Sequence, residues 1–578
     1  MKDVVVVGAG HNGLVSAAYL ARAGLDVEVV ERRPVIGGAS ATEELIPGYR
    51  ASSCAFVVGL LRPEIIRDLE LRRHGLELYQ PPAVAGYQMT DDGRGFFTYR
   101  DVDRELRELR EHFGPRAPEG YLAFGVAMQQ VGNVLGPAFV SRPPSRETLQ
   151  AALEATGGER LWERFFAGSV ADLMDVFFDD DRLRGYMAFP AMVSIYGGPR
   201  TVGTSYVLTH HAVAEFNGMF GQWGFARGGL GAVAAAIAAD ARAHGVRIRT
   251  EAGVRRILVE DGQARGVVLD TGEEIRARQV LSNADPEGTL LRLVGADHLA
   301  PDVADALGRH DVSGSMARLH IATDVLPAFV GGPSRATVGP EHLGHNLLGA
   351  SIERFERGWE AQRKGHLFDD PVVELLVESA REPGSAPAGH HLLLAGVQQL
   401  PRDLHDRTWD DARQDLIDTV LKQLYRYAPN LEGHVVATHA LTPLDLEREY
   451  GLTGGNIYHG ALTADQLFDQ RPFGALSSYR TPIAGLYLCG SGVHPGGGVT
   501  GAAGHNAART ALSDLGSAHG WGGMSAGGNG AGARRPDALE RLGQVMTSQP
   551  ALRRLTAVAA QRRWLRPVLA RATKRRSS

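Results

Sequence analysis

The chain has 578 residues, of which 44% are hydrophobic and 22% charged, an ordinary composition for a folded protein with more than one core. No uninterrupted apolar run approaches the roughly 18 residues that a membrane-spanning helix needs. The sequence also lacks the basic start and cleavage site of a signal peptide. These features argue against an integral membrane protein, and we expect a cytoplasmic location.

The two cysteines, Cys54 and Cys489, stand outside any CxxC spacing. This separation argues against a redox dithiol or a zinc site, so no metal site is predicted.

The net charge of −5 is unevenly distributed along the chain. Residues 534–578 carry twelve Arg or Lys and two acids, a net charge of +10, and follow a Gly, Ser and Ala-rich stretch at 516–533. We expect a flexible linker and a basic tail that either contacts an anionic membrane surface or keeps the protein in solution. Nucleic-acid binding is not expected, because no recognition fold accompanies the charge.

The first elements predict a dinucleotide site. Val4–Val7 predict a buried strand, the glycines of GxGxxG (Gly8, Gly10 and Gly13) a tight turn, and the following residues a helix. Gly10 would let backbone approach a pyrophosphate, and the start of the helix offers free N–H groups. A second strand ends at Glu31, whose carboxylate is placed to accept hydrogen bonds from ribose hydroxyls.

Three further glycine-rich segments follow along the chain. Gly37 and Gly38 follow Glu31 and Arg32, and predict a second close approach of backbone. A turn at Gly228–Gly231, a helix and several β segments return to the same type of layer in mid-chain. The segment from Gly490 to Gly504 holds seven glycines in fifteen residues.

The order of these motifs resembles the FAD-dependent phytoene desaturase and amine oxidase superfamily. It is carried by GxGxxG, Glu31, Gly37-Gly38, "GGLGAVAAAIA", "VRRI", "VLSNADP" and "GLYLCGSGVHPGGGVTGAAGHNAA". Within it, "LTPLDLEREYGLTGGNIYHGALTADQLFDQRP" resembles the branch called pyridine nucleotide-disulfide oxidoreductase domain-containing protein 2. The disulfide chemistry in that name has no support from the cysteine spacing.

The resemblance implies bound FAD in a site that both ends of the chain build. The last strand would return beside the first, and a final helix beginning near Thr500 would point its N-terminus at the flavin. The implied contacts comprise the backbone of Val254 at the adenine, with Gly490, Ser491, Val499 and Thr500 near the flavin. Amine oxidase relatives carry an acid where this chain has Ser491.

The implied fold class is α/β. It combines a Rossmann-like, GR2-type FAD-binding domain from separate segments (1–59, 226–286 and 475–515) with an α+β substrate domain (60–225 and 287–474). The linker and the basic tail follow.

Flavin chemistry of this type transfers a hydride to the cofactor, so few side chains are indispensable. His494 and His459 are the candidate acid or base residues, because their segments are expected against the flavin. We predict an oxidoreductase that removes hydride from a small apolar or isoprenoid-like substrate. An amine oxidase and a flavoprotein with a regulatory or scaffold role are the alternatives. The sequence leaves open the electron acceptor and the involvement of NAD(P).

Overall fold

A computed structural model describes residues 1–81, 84–157, 160–216, 219–333, 337–517 and 519–521. The basic tail and most of the predicted linker lie outside the described residues. Within these ranges, none of the helices combines the length and the apolarity that crossing a bilayer requires.

The strands are short and spread along the chain. They are β1 (Lys2–Val7), β2 (Val27–Val30), β3 (Thr42–Ile46), β4 (Tyr49–Ser52), β5 (Leu78–Tyr79), β6 (Val84–Met89), β7 (Gly95–Tyr99), β8 (Glu215–Phe216), β9 (Met219–Phe220), β10 (Phe225–Ala226), β11 (Arg247–Arg249), β12 (Val254–Glu260), β13 (Gln263–Leu269), β14 (Glu274–Ser282), β15 (Ser315–Thr323), β16 (Asn346–Leu348), β17 (Val373–Val377), β18 (His391–Leu400), β19 (Val435–Leu441) and β20 (Leu486–Leu488).

The α-helices lie between these strands. They are α1 (His11–Arg22), α2 (Pro63–Asp68), α3 (Val102–Phe113), α4 (Ala117–Phe139), α5 (Arg146–Glu154), α6 (Val170–Phe177), α7 (Asp181–Ala188), α8 (Thr204–Ala212), α9 (Gly231–Ala243), α10 (Pro301–Gly308), α11 (Pro340–Leu343), α12 (Ile352–Gln362), α13 (Glu378–Arg381), α14 (Trp409–Tyr427), α15 (Pro443–Tyr450) and α16 (Ala502–Asp514).

The first sheet gathers strands from both ends and the middle of the chain. Its parallel part has the order β11-β2-β1-β14-β20, and β13 and β12 extend it from β14 as antiparallel neighbours. The central strands are buried valine-rich runs, as a parallel sheet covered on both faces requires. Helices α1, α9 and α16 pack beside it, and α1 contacts both of the others.

The second sheet is mixed and has the order β19-β15-β18-β17-β16-β6-β7, with β16 parallel to β6. Helix α14 packs against it through buried leucine, isoleucine and valine side chains. Helices α3 to α8 form a separate helical layer whose core is rich in phenylalanine and methionine.

The elements predicted from local pattern are confirmed with small shifts. The first strand, glycine turn and helix form as predicted, and β2 ends at Val30, one residue before Glu31. The last helix begins at Ala502, two residues after the predicted start, because Gly501 takes a left-handed conformation. The final strand enters the first sheet as expected, but it pairs with β14 and not with β1, so the expectation that it lies directly beside the first strand is wrong, because β14 lies between them. The division of the chain into domains stays a prediction.

Candidate functional site

The turn between β1 and α1 is shaped by its three glycines, each for a different reason. Gly8 has φ of +91°, a left-handed conformation that favours glycine. A Cβ on Gly13 would lie 2.2 Å from the Gly8 carbonyl oxygen, so Gly13 is required for packing. A Cβ on Gly10 would meet the Nδ2 of Asn283 at 2.5 Å, the movable end of a side chain. A side chain at position 10 would therefore displace the Asn283 side chain and would not clash with backbone. Glycine at this position keeps the surface of the turn open.

Glu31 lies at the carboxyl end of β2, directly beside this turn. Its buried carboxylate accepts hydrogen bonds from the N–H groups of Ala9 (2.8 Å) and Arg33 (2.9 Å). Arg32 points elsewhere, because its guanidinium donates to the carbonyl oxygens of Arg448 and Glu449 at the end of α15. Arg32 thus connects the turn to the segment that follows the second sheet.

The glycine pair Gly37-Gly38 packs against the glycine turn between β1 and α1. The Gly37 N–H donates to the Ala9 carbonyl oxygen at 2.9 Å, and a Cβ on Gly38 would lie 3.4 Å from the Gly10 Cα. Val254 begins β12 beside the same region, since the N–H of Ala252 donates to the Glu31 carbonyl oxygen at 2.8 Å.

Both ends of the chain meet at the start of α1. The Asn12 Nδ2 lies 3.5 Å from the Ser491 Oγ, and the Ser16 hydroxyl donates to the Gly504 carbonyl oxygen at 2.8 Å. A Cβ on Gly490 would lie 2.6 Å from the Asn283 carbonyl oxygen. The glycines at 490 and 504 thus allow β20 and α16 to approach the first turn closely.

The loop between β20 and α16 is held by two buried histidines. The Nε2–H of His494 donates to the Ala138 carbonyl oxygen at 2.9 Å, and the Nε2–H of His210 donates to the Gly497 carbonyl oxygen at 2.8 Å. Burial lowers the pKa of His494 to about 4 and that of His210 to about 3. Both rings are therefore neutral at neutral pH and tether the loop to the helical layer.

Val499 and Thr500 complete this loop before α16. Val499 is half-buried, and the Thr500 carbonyl oxygen accepts a hydrogen bond from the Arg62 N–H at 3.1 Å. The Thr500 hydroxyl accepts the N–H of Ala502 at 3.1 Å, at the first turn of α16.

His11 and His459 lie close enough to interact electrostatically near the α1 N-terminus. Within the described part of the chain, the His11 Nε2, the Asn12 Oδ1 and the His459 Nδ1 are buried atoms without a hydrogen-bond partner. Burial lowers the pKa of His11 to about 4, helped by His459. Burial also lowers the pKa of His459, although the carboxylate of Asp285 opposes the shift.

A cavity of about 600 Å³ lies between the helical layer and the segment 461–470. Its apolar walls include Trp162, Phe166, Val207, Leu462, Leu467 and Phe468, and Asp311 and Thr204 add polar groups. A Cβ on Gly496 would lie 3.2 Å from the Cδ2 of Leu462. Leu462 therefore belongs to the cavity wall and also lies beside the glycine-rich loop.

Comparison with known proteins identifies this arrangement. The family model for flavin containing amine oxidoreductase matches residues 13–512. The chain belongs to this family. Its cofactor is FAD, and the protein is an FAD-dependent oxidoreductase with a flavin amine oxidase-like α/β fold.

The chain is similar in sequence to two relatives and in fold to one solved structure. The chain is 36% identical to rat pyridine nucleotide-disulfide oxidoreductase domain-containing protein 2, over 89% of this chain and 94% of the relative. It is 29% identical to hydroxyneurosporene desaturase of Cereibacter sphaeroides, over 89% and 98%. Cyclohexylamine oxidase from Brevibacterium oxydans matches in fold, with a TM-score of 0.55, 19% identity and coverage of 89% and 99%.

The residues around the α1 N-terminus fit FAD. In the described chain the first turn of α1 has no side-chain cap, and the N–H groups there suit a pyrophosphate. By contrast, the start of α9 is already occupied, since the Gly231 N–H donates to the Thr42 hydroxyl at 2.9 Å. The unpartnered atoms of His11, Asn12 and His459 suit the polar atoms of a bound dinucleotide.

Four residues at this site were not predicted from their own sequence pattern. His11 and Asn12 occupy the variable positions of GxGxxG, Asn283 lies over the glycine turn, and the buried Arg471 supports the loop after β20. The sequence does contain a signal for His11 and Asn12, because they are polar residues within the glycine-rich turn.

Proposed function

We propose that this flavoprotein removes hydride from an apolar, isoprenoid-like substrate that binds in the 600 Å³ cavity. The observation that carries the proposal is the aromatic and aliphatic wall of that cavity, in which Leu462 also lies beside the glycine-rich loop. A cavity of this size and lining suits a largely apolar small molecule. One relative is named as a desaturase of hydroxyneurosporene, which agrees with this substrate class.

In this proposal both ends of the chain hold the cofactor. The proposed contacts are Gly8, Gly10, Gly13, Glu31, Arg32, Gly37, Gly38, Val254, Gly490, Ser491, Val499 and Thr500. Glu31 would accept ribose hydroxyls on its remaining lone pairs, and the α1 N-terminus would hold the pyrophosphate. Bound FAD supplies the electron sink for the hydride.

The protein's own residues would orient the substrate and exclude water. His210 and His494 would fix the loop between cavity and cofactor, because each donates to a backbone carbonyl oxygen. His459 is the proposed proton acceptor, since its neutral ring has an unpartnered Nδ1 within the described structure.

A second candidate function is amine oxidation, which the description of the family model favours. The Asp311 side chain in the cavity wall would then pair with a substrate ammonium group. The two functions can be distinguished by the substrate that reduces the bound flavin and so bleaches its absorption, an isoprenoid polyene or an amine.

Anaerobic reduction of the purified holoprotein tests the proposal. An isoprenoid polyene in detergent should bleach the flavin absorption, whereas putrescine and cyclohexylamine should leave it unchanged. Bleaching by the amines and not by the polyene would contradict the proposal and support the second candidate.

A cavity-filling variant tests the location of the substrate. Ala167 is half-buried in the cavity wall, so Ala167→Trp should lower the rate of flavin reduction at least about tenfold without loss of FAD. Val436→Trp is the matched control, because Val436 is 51% exposed on β19. Equal rates in wild type and Ala167→Trp would place the substrate elsewhere.

A further inference from the structure

Arg471 is a fully buried cation beneath the loop that follows β20. Its side chain is 0% exposed. The five N–H groups of the guanidinium donate to backbone carbonyl oxygens in six contacts of 2.7 to 3.3 Å, so one N–H is shared between two acceptors. The acceptors are the carbonyl groups of Tyr458, Gly460, Ala461, Gln466 and Ser491.

This cation lacks the partner that a buried charge normally has. Buried arginines are usually paired with a carboxylate, because an uncompensated charge in the interior is costly. Among the residues that the structure describes, Arg471 forms no ion pair, and the acceptors of its N–H groups are all backbone carbonyl oxygens. Burial lowers the pKa of Arg471 to about 10, so the group stays cationic at neutral pH.

The position of the charge explains why the fold retains it. Two of its hydrogen bonds end at the Ser491 carbonyl oxygen, directly after β20. A Cβ on Gly496 would lie 3.6 Å from the Arg471 Nε. The charge therefore faces the underside of the glycine-rich loop. Its field also contributes to the lowered pKa values of His310, His459 and His494.

We propose that Arg471 is a positioning residue whose uncompensated positive charge, acting through the 490–500 loop, stabilises the negative charge of reduced FAD and raises its midpoint potential. This inference rests on the proposed placement of the flavin against that loop. A fixed charge aimed at developing negative charge in a water-poor site needs no reorganisation when the charge appears.

The test compares the midpoint potential of bound FAD in three holoproteins, by equilibration with redox dyes. The wild-type potential should exceed that of free FAD in the same buffer. Arg471→Gln should lower the potential by about 30 mV or more, the equivalent of a tenfold change in the equilibrium constant of a two-electron couple. Arg471→Lys should keep most of the wild-type potential, because it keeps the charge.

Three outcomes would overturn the inference. An unchanged potential in Arg471→Gln would show that the charge does not act on the flavin, and an equal fall in both variants would show a hydrogen-bonding role alone. If Arg471→Gln does not fold, a wild-type potential at or below that of free FAD decides against it. FAD retention in Gly10→Val, described in the Discussion, tests the cofactor site separately.

Discussion

At the scale of single residues, the protonation state of His459 decides what its ring can do. Burial lowers the pKa of His459, so the ring is neutral at neutral pH and holds a lone pair. The same ring lies near His11 at the start of α1, where the cofactor is proposed to bind. His459 can therefore either accept a proton from substrate or hold the cofactor, and the two roles differ in their dependence on pH.

His459→Gln separates these roles. If His459 accepts the proton, the wild-type rate of flavin reduction should stay constant down to the ordinary histidine pKa of about 6.5 and fall only at a lower pH, because burial lowers the pKa of His459. The variant should be about a hundredfold slower and should lack this acid limb. The measurement is the rate of anaerobic flavin reduction from about pH 4 to pH 8, with His434→Gln, a change at an exposed histidine, as the control. Weakened FAD binding with the acid limb intact would assign His459 to the cofactor instead.

At the scale of elements, the crossing of α1 and α16 brings the two chain ends together. A Cβ on Gly504 would lie 2.0 Å from the Asn12 carbonyl oxygen, and this backbone cannot move without separating the helices. Small residues at such crossings allow helix backbones to approach closely, and any added atom must be accommodated by displacement.

Gly504→Ala should therefore destabilise the protein by about 1–3 kcal/mol and lower its thermal midpoint. The matched control is Gly125→Ala in α4, where a Cβ meets nothing within 4 Å. That change should be neutral or stabilising by about 0.5–1 kcal/mol, because alanine is the better helix former. Thermal unfolding followed by circular dichroism measures both, and an unaffected Gly504→Ala midpoint would refute the close crossing.

The local elements were predictable and the long-range contacts were not. The β1 turn, α1 and β2 follow from a valine run and three glycines, whose effects are local. The entry of β20 into the first sheet followed from resemblance to a family, because nothing in its own residues specifies a partner strand. Arg471 was not predicted, because its neighbours in sequence show only a basic residue before a proline. Its burial depends on contacts with distant segments of the chain.

At the scale of the whole molecule, buried neutral histidines make folding sensitive to acid. Burial lowers the pKa of seven histidines to about 3 or 4, whereas unfolded histidines titrate near 6.5: His11, His210, His211, His310, His320, His494 and His505. Their stabilising contribution is complete above pH 6.5 and is lost as the pH falls towards 4, because the unfolded chain then binds more protons. Burial raises the pKa of Glu105 to about 8, so this one carboxyl group makes the free energy of unfolding increase as the pH falls. Its effect opposes that of the seven histidines.

The free energy of unfolding should therefore decrease steeply from pH 7 to pH 5. His505 lies outside the proposed cofactor contacts, so His505→Gln should reduce this slope by about one proton, or about 1.4 kcal/mol per pH unit. Denaturant unfolding at several pH values measures the slope. A free energy that is constant across this range would contradict the account of the buried histidines.

Both ends of the chain are proposed to hold one FAD around Gly10. The most direct measurement is the FAD content of purified Gly10→Val against wild type, with the released cofactor quantified after heat treatment. The backbone at Gly10 has φ of −65°, so valine strains no dihedral and meets the movable Asn283 side chain. Gly10→Val should fold and should have lost FAD, whereas a folded Gly10→Val with wild-type FAD content would rule out this cofactor site.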